Sequence, residues 1–95
     1  MNVEIIGACH QKGEIQTYGE NGFQKAEVII ATVEQHPNYY GIELLQHNTD
    51  LLDDFEEGKN YKVTCALRGR LVDTQNNGTR PFLSLVAFKV EPVNH

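Results

Sequence analysis

The 95-residue chain has no tryptophan, a single methionine, three prolines and two cysteines. Cys9 and Cys65 are too few for a disulfide framework. Both lie in apolar stretches, where a reduced thiol behaves as a small hydrophobe, so a reducing compartment is expected. No run approaches the roughly 18 consecutive apolar residues of a membrane helix. The start Met1-Asn2-Val3-Glu4-Ile5-Ile6 lacks the basic and apolar regions of a secretory signal, and the expectation is a soluble cytoplasmic protein without membrane attachment. Cations are scarce as well, with eight Lys and Arg against thirteen acids and a net charge of −5. That balance speaks against a protein held to its partner by a diffuse positive field. The deficit is local, however. Asp50, Asp53, Asp54, Glu56 and Glu57 crowd into one segment, and the remaining chain carries eight acids against eight bases.

Metal-ligand spacing is missing too. His10, His36, His47 and His95 are scattered, with no Cys-x-x-Cys or His-x-x-x-His pair, so no zinc site is expected. The acidic cluster lacks the glycine spacing of a calcium loop. A catalytic cysteine would need an exposed, activated thiolate, which residues in apolar runs do not supply. Neither an enzyme nor a cofactor is expected. Asn77-Gly78-Thr79 matches a glycosylation acceptor formally, but without a secretory signal it reads as a turn.

What the chain does contain is alternation. A domain this small buries only about 60 to 65% of its unfolded surface, so nearly every apolar residue must serve one core, and residues 1–95 read as one domain. Gly19-Glu20-Asn21-Gly22 marks a tight turn between two strands, with Asn-Gly supplying positive φ. Strand one precedes it over Val3 to Tyr18, long and bent at Gly7 and Gly13. Strand two runs from Phe23 to Val33, rich in β-branched residues. After His36-Pro37-Asn38, strand three covers Tyr39 to Gln46, with Tyr40, Ile42 and Leu44 on one face and Tyr39, Gly41 and Glu43 on the other. Asn48 or Thr49 then offers a helix cap, and the acids from Asp50 onward complement a helix N-terminus. The spacing of Leu51, Leu52 and Phe55 predicts about two turns, ended by Gly58. Strand four alternates Tyr61, Val63, Cys65 and Leu67 with Lys62, Thr64, Ala66 and Arg68. A polar loop over Asp73 to Thr79 leads to strand five, Phe82 to Val90. The order β-β-β-α-β-β, mainly β with one short helix between strands three and four, is that of the five-stranded OB-fold, a partly open Greek-key barrel.

Short elements along this path also resemble a known group. They are Phe23-Gln24-Lys25-x-Glu27 followed by Val28-Ile29, then Tyr40-x-Ile42-Glu43, Gly58-x-x-Tyr61-x-Val63, Arg70, and Arg80-x-Phe82-x-x-Leu85-x-Ala87-Phe88-Lys89-Val90. Together, from about residue 3 to 91, they resemble small bacterial and phage OB-fold proteins of an uncharacterised family related to single-stranded-DNA-binding proteins. Members of that group often carry tryptophan near the start of strand two and the end of strand five, where this chain has Phe23 and Phe88. The acidic C-terminal tail of bacterial single-strand-binding proteins has no counterpart in Glu91-Pro92-Val93-Asn94-His95. The resemblance implies binding of single-stranded DNA, with RNA not distinguished, in support of replication, recombination or repair.

Holding a single strand without reading its sequence takes a positive groove along the backbone and flat side chains for base stacking. On an OB-fold these belong on the face of strands two and three and on the loops joining strands one to two and four to five. The candidates are Tyr18, Phe23, Lys25, His36, Tyr39, Arg68, Arg70, Arg80 and Phe82. Arg68 and Arg70 share a parity opposite to the core residues of strand four and should project outward. Against this stands the ordinary fate of an aromatic in a small β domain, which is the core. That applies most to Phe82, Tyr40 and Phe88, and Phe88 is expected to fill the barrel. Lys25 could equally pair with Glu27 or Glu43 across strands. With charge merely balanced outside the helix, binding per protomer should be weak, favouring a homo-oligomer, a dimer by default. Two other readings remain open: a protein-interaction module docking through its acidic helix, and a small-ligand or oligosaccharide binder. Acids interrupting a groove of Lys25, Arg70 and Arg80 would favour the interaction module.

Overall fold

A computed structural model of the chain describes residues 1–76 and 78–93. Asn77, on which the glycosylation motif rests, and His95, with its place in the histidine count, lie outside the described residues.

Six strands and one 3-10 helix follow in the order β1 (Asn2–Lys12), β2 (Gln16–Tyr18), β3 (Phe23–Ala31), β4 (Tyr39–Leu45), helix (Gln46–Asp54), β5 (Asn60–Thr74) and β6 (Gly78–Pro92). The expected strand one is divided into β1 and the short β2, so strands two to five of the sequence reading are β3 to β6. The sheet runs β1-β5-β6-β4-β3-β2 and closes on itself because β1 also pairs with β3. All pairings are antiparallel except β4 with β6. This ring is an OB-fold barrel, and the chain is mainly β with one short helix, as the alternation predicts.

Closure depends on β1 serving two neighbours. Asn2 to Ala8 pair with β5, and Ala8 to Lys12 pair with β3. At the crossing stands Gly7, where a Cβ would strike the Ala31 carbonyl oxygen and come within 2.9 Å of Ile30 Cγ2. The bend read from this glycine is thus a close approach of two backbones. The β2–β3 turn takes its positive φ from Gly19 (71°) and Gly22 (68°), and Asn21 needs none.

The core forms where the inward positions of β1, β3, β4 and β5 meet. Val28, Ile30, Ile42, Leu44, Val63 and Cys65 are fully buried, and Leu52 and Phe55 plug one end of the barrel. Phe55 meets Tyr61 edge to face at 5.0 Å. The Tyr61 Oη accepts the Glu56 N–H at 2.7 Å.

The helix differs from its expected form. It begins at Gln46, is capped by no side chain, and has no acid in its first turn. Thr49, expected as a cap, is instead buried and donates its hydroxyl to the Gln46 carbonyl oxygen at 2.8 Å. The chain leaves β4 through Gln46 at φ 53°, so the helix starts before any capping residue is reached, and Gly58 (φ 90°) lies in the turn beyond it. Its acids therefore do not complement a helix N-terminus; Asp50, Asp53 and Asp54 are simply exposed.

A second difference concerns the region read as a polar loop. Register continues through Val72↔Arg80 and Asp73↔Thr79 to Thr74↔Gly78, so most of Asp73 to Thr79 extends one long β5–β6 hairpin. Side chains there satisfy each other, with Thr79 Oγ1 donating to Asp73 Oδ1 at 2.8 Å and Thr74 Oγ1 to the Gly78 carbonyl at 2.6 Å. The hairpin projects beyond the barrel. The Cα radius of gyration is 14.5 Å, against about 12 Å for a compact chain of this length. Among the described residues no helix is long and apolar enough to cross a membrane.

Candidate nucleic-acid interface

Strand pairing decides which outward residues meet. Phe23 and Lys25 on β3 share the outer face with Leu45 and Glu43 on β4, since Lys25 pairs with Leu45 and Glu27 with Glu43. The parallel pairing of Glu43 with Val86 extends this face onto β6, and Arg68↔Ser84 extends it onto β5. The result is an open cleft of about 250 Å³ lined by Phe23, Lys25, Glu43, Arg68, Arg70 and Val86, among others. Four of the nine predicted residues thus converge in one place.

The hairpin continues that face. Arg70 stands opposite Phe82 and Val72 opposite Arg80, so Arg68, Arg70, Arg80 and Phe82 project from one side of it. Phe82 is half exposed, at 51%, rather than in the core. Among the described residues these three arginines form no salt bridge, whereas Lys25, Lys59, Lys62 and Lys89 are each paired with a glutamate.

The other candidates lie apart from the cleft. Tyr18, exposed on the short β2, pairs with Phe23 at the near edge. Tyr39 lies at the opposite end of the β3–β4 face, paired with Ala31. At 3.3 Å per residue the length of β3 puts it about 26 Å from Phe23. His36 is exposed on the loop between β3 and β4, which is tied by Asn38 N–H to Thr32 Oγ1 at 2.9 Å and by Asn38 Nδ2 to Glu34 at 3.2 Å. The structure does not bring His36 to the cleft.

Several residues of this face were not singled out from sequence. His10 meets Tyr39 edge to face at 5.2 Å. It follows the buried Cys9 and so points outward, beside an irregularity between Cys9 and Gln11 in the pairing with β3. Phe88 was expected inside the barrel, and the structure corrects this. Thr64 pairs with Lys89 and Cys65 with Ala87, so Phe88 is the extra residue of a bulge and is 44% exposed. Glu43 and Leu45 shared the legible outward parity of Tyr39. Ser84 and Val86 carried no signal, because their place depends on a parallel pairing between distant segments.

Electrostatically the face is divided. Lys25 Nζ lies 2.6 Å from Glu43 Oε1, and this hydrogen bond to Glu43 raises the lysine pKa above its ordinary value. Glu27 faces Glu43 directly across the strands. Acids therefore interrupt the stretch between Tyr39 and the cleft, while the hairpin end stays cationic and aromatic. The thiols are remote from this chemistry. Burial pushes Cys65 up to about 11 and raises Cys9 as well, so neither is a thiolate at neutral pH. Among the described residues no three His, Cys, Asp or Glu side chains cluster to hold a metal ion.

Comparison with known proteins agrees with this architecture. The family described as "Domain of unknown function (DUF3127)" matches residues 4–91, and the chain belongs to it. No curated protein sequence matches the chain. Among solved structures it is similar to the mitochondrial single-stranded DNA binding protein Rim1 of S. cerevisiae. One crystal form gives a TM-score of 0.75 at 19% identity, covering 98% of this chain and 95% of that one. A second form gives 0.73 at 16% identity, covering 98% and 94%. At such identities the likeness establishes the shared OB-fold.

Proposed function

We propose that this protein binds single-stranded DNA with little sequence preference, through base stacking and phosphate contacts on the outer β3–β4 face and the β5–β6 hairpin. The observation that carries this reading is the convergence of Phe23, Arg68 and Arg70 in one cleft, continued by Phe82 and Arg80 on the same hairpin face. Stacking platforms and uncommitted arginines are the two things a sequence-tolerant site requires, each stacked base contributing about 1 to 3 kcal/mol. The shared fold with Rim1, a single-stranded DNA binding protein, supports it. Tyr18, Tyr39 with His10, and His36 would extend the path at its edges. The work we infer is replication, recombination or repair in the cytoplasm of a bacterium or its phage, without a cofactor and without catalysis.

Few free cations imply modest affinity per protomer, so we take a homodimer as the working form. The inward side of the hairpin supports this. Past the barrel it continues as Leu71, Pro81 and Leu83, with Leu71 and Leu83 each 73% exposed.

The test is fluorescence anisotropy of a labelled dT oligonucleotide of about 30 nucleotides over a range of salt, with an rU oligonucleotide as competitor. Binding should weaken with salt, and Arg70→Ala and Phe82→Ala should each weaken it at least fivefold. No binding at low salt by the folded protein would discard the reading. Weight would then move to a protein-interaction module, which the Glu27–Glu43 pair and the exposed acids of the helix favour.

A further inference from the structure

Lys25 has the position of a phosphate ligand but not the freedom of one. Its ammonium is 2.6 Å from Glu43 Oε1, within charge-assisted hydrogen-bond range. Both partners are partly withdrawn from water, the Lys25 side chain at 39% exposure and that of Glu43 at 19%, less than any other glutamate in the salt bridges of the described residues, so the carboxylate is little screened. Nor is Glu43 alone. Glu27 stands opposite it on the same outer face and forms no salt bridge among the described residues. Arg68 and Arg70, lining the same cleft, likewise form no salt bridge among the described residues. The cleft therefore holds three cations, of which one is neutralised by a built-in carboxylate.

We propose that Glu43 is an internal competitor for phosphate at Lys25, a carboxylate that occupies the lysine a nucleic-acid backbone would take and thereby limits how tightly this face holds a single strand. The inference rests on the single-strand reading above and adds a regulating residue to it. A phosphate approaching Lys25 must displace Glu43 and then lie beside it, and like charges brought together in this way reduce affinity. The strand is then held chiefly at the hairpin, and the β3–β4 stretch contributes stacking with little counterion release. Such an arrangement suits a protein that must cover a single strand and also leave it readily.

The experiment is a salt series of dT binding by the wild type, Glu43→Gln, Lys25→Gln, the Lys25→Gln/Glu43→Gln double variant and Arg70→Ala. Glutamine keeps the length of the side chain and can still accept the Lys25 hydrogen bond, so the fold should be untouched, and thermal melts check this. Glu43→Gln should bind three- to tenfold more tightly at low salt. Its log–log salt slope should steepen by about 0.7, the value of one added phosphate contact on a single strand. Lys25→Gln alone should weaken binding, because it leaves Glu43 uncompensated, and the double variant should return close to wild type. A merely structural pair predicts otherwise: affinity unchanged or lower in Glu43→Gln, with the slope unmoved. That result, with Arg70→Ala still weakening the wild type, would overturn the competitor role and leave the single-strand reading standing. Absence of binding by both the wild type and Glu43→Gln would overturn both.

Discussion

At the residue scale, the barrel places its smallest side chains where other atoms come closest. Gly7 allows β1 to pass from β5 to β3, and any side chain there meets the Ala31 carbonyl. Gly7→Ala should therefore destabilise the protein by about 1 to 3 kcal/mol, as overpacking of a tight contact does. Urea unfolding reads this as a lower midpoint, and an unchanged midpoint would mean that the two strands can separate freely at this crossing. Cys65 makes a pH-dependent prediction. Fully buried, its thiol titrates near 11 in the folded protein against an ordinary value of 9.0. Below pH 9 the thiol is protonated in both folded and unfolded chains and has no effect. Between 9 and 11 the unfolded chain loses the proton first, so stability falls with rising pH by up to about 1.4 kcal/mol per unit from this group. Cys65→Ser, compared with wild type in urea melts at pH 8 and pH 10, should remove that component. Equal pH dependence in the two proteins would refute the assignment.

At the scale of elements, the β5–β6 hairpin has two parts with separate tasks. Tyr61, Val63, Cys65 and Ala87 face the core, while none of the described residues from Arg70 to Phe82 belongs to it. Replacing Arg70–Phe82 by Asn-Gly, a pair suited to a two-residue hairpin turn, should thus leave the barrel folded with a melting temperature within a few degrees of wild type. It removes Arg70, Arg80 and Phe82 together and should cost more than tenfold in dT affinity. A truncated protein that melts normally and binds undiminished would move the site off the hairpin. The helix is an element of the opposite kind. Its role is to seal the barrel with Leu52 and the adjoining Phe55, and its acids are a solvated surface whose charge follows from exposure.

At the scale of the whole molecule, one hairpin with a cationic outer side and an apolar inner side gives two faces that need not compete. On the proposed reading one is open to nucleic acid and the other to a second protomer. Light scattering after size exclusion should give twice 10.7 kDa, and Leu71→Glu combined with Leu83→Glu should give a folded monomer with the same circular dichroism. A monomeric wild type would remove the dimer and make cooperative loading along the strand the remaining route to useful affinity.

Alternation with period two was enough to read the succession of strands along the chain, the inward direction of Val28, Ile30, Ile42, Leu44, Val63 and Cys65 and the outward direction of Arg68 and Arg70, and so to expect an OB-fold, because side-chain direction along a strand is a local property. It misplaced Tyr40, which is 36% exposed. The turn at residues 19–22 and the burial of both cysteines were local as well. Tertiary structure decided what local chemistry could not. A bulge shifts register by one residue and reverses a side chain, which brought out Phe88 although nothing in its neighbours marks the position. The length of the hairpin emerged only when β5 and β6 paired, since Asp73 to Thr79 is polar enough for a loop and extended enough for a ladder. Above all, the partner of Lys25 was decided by which strands are adjacent. Glu27 and Glu43 were equal candidates in sequence, and the β3–β4 register set Glu43 against the lysine and Glu27 against Glu43, so that the face carries both its cations and the acid that restrains one of them.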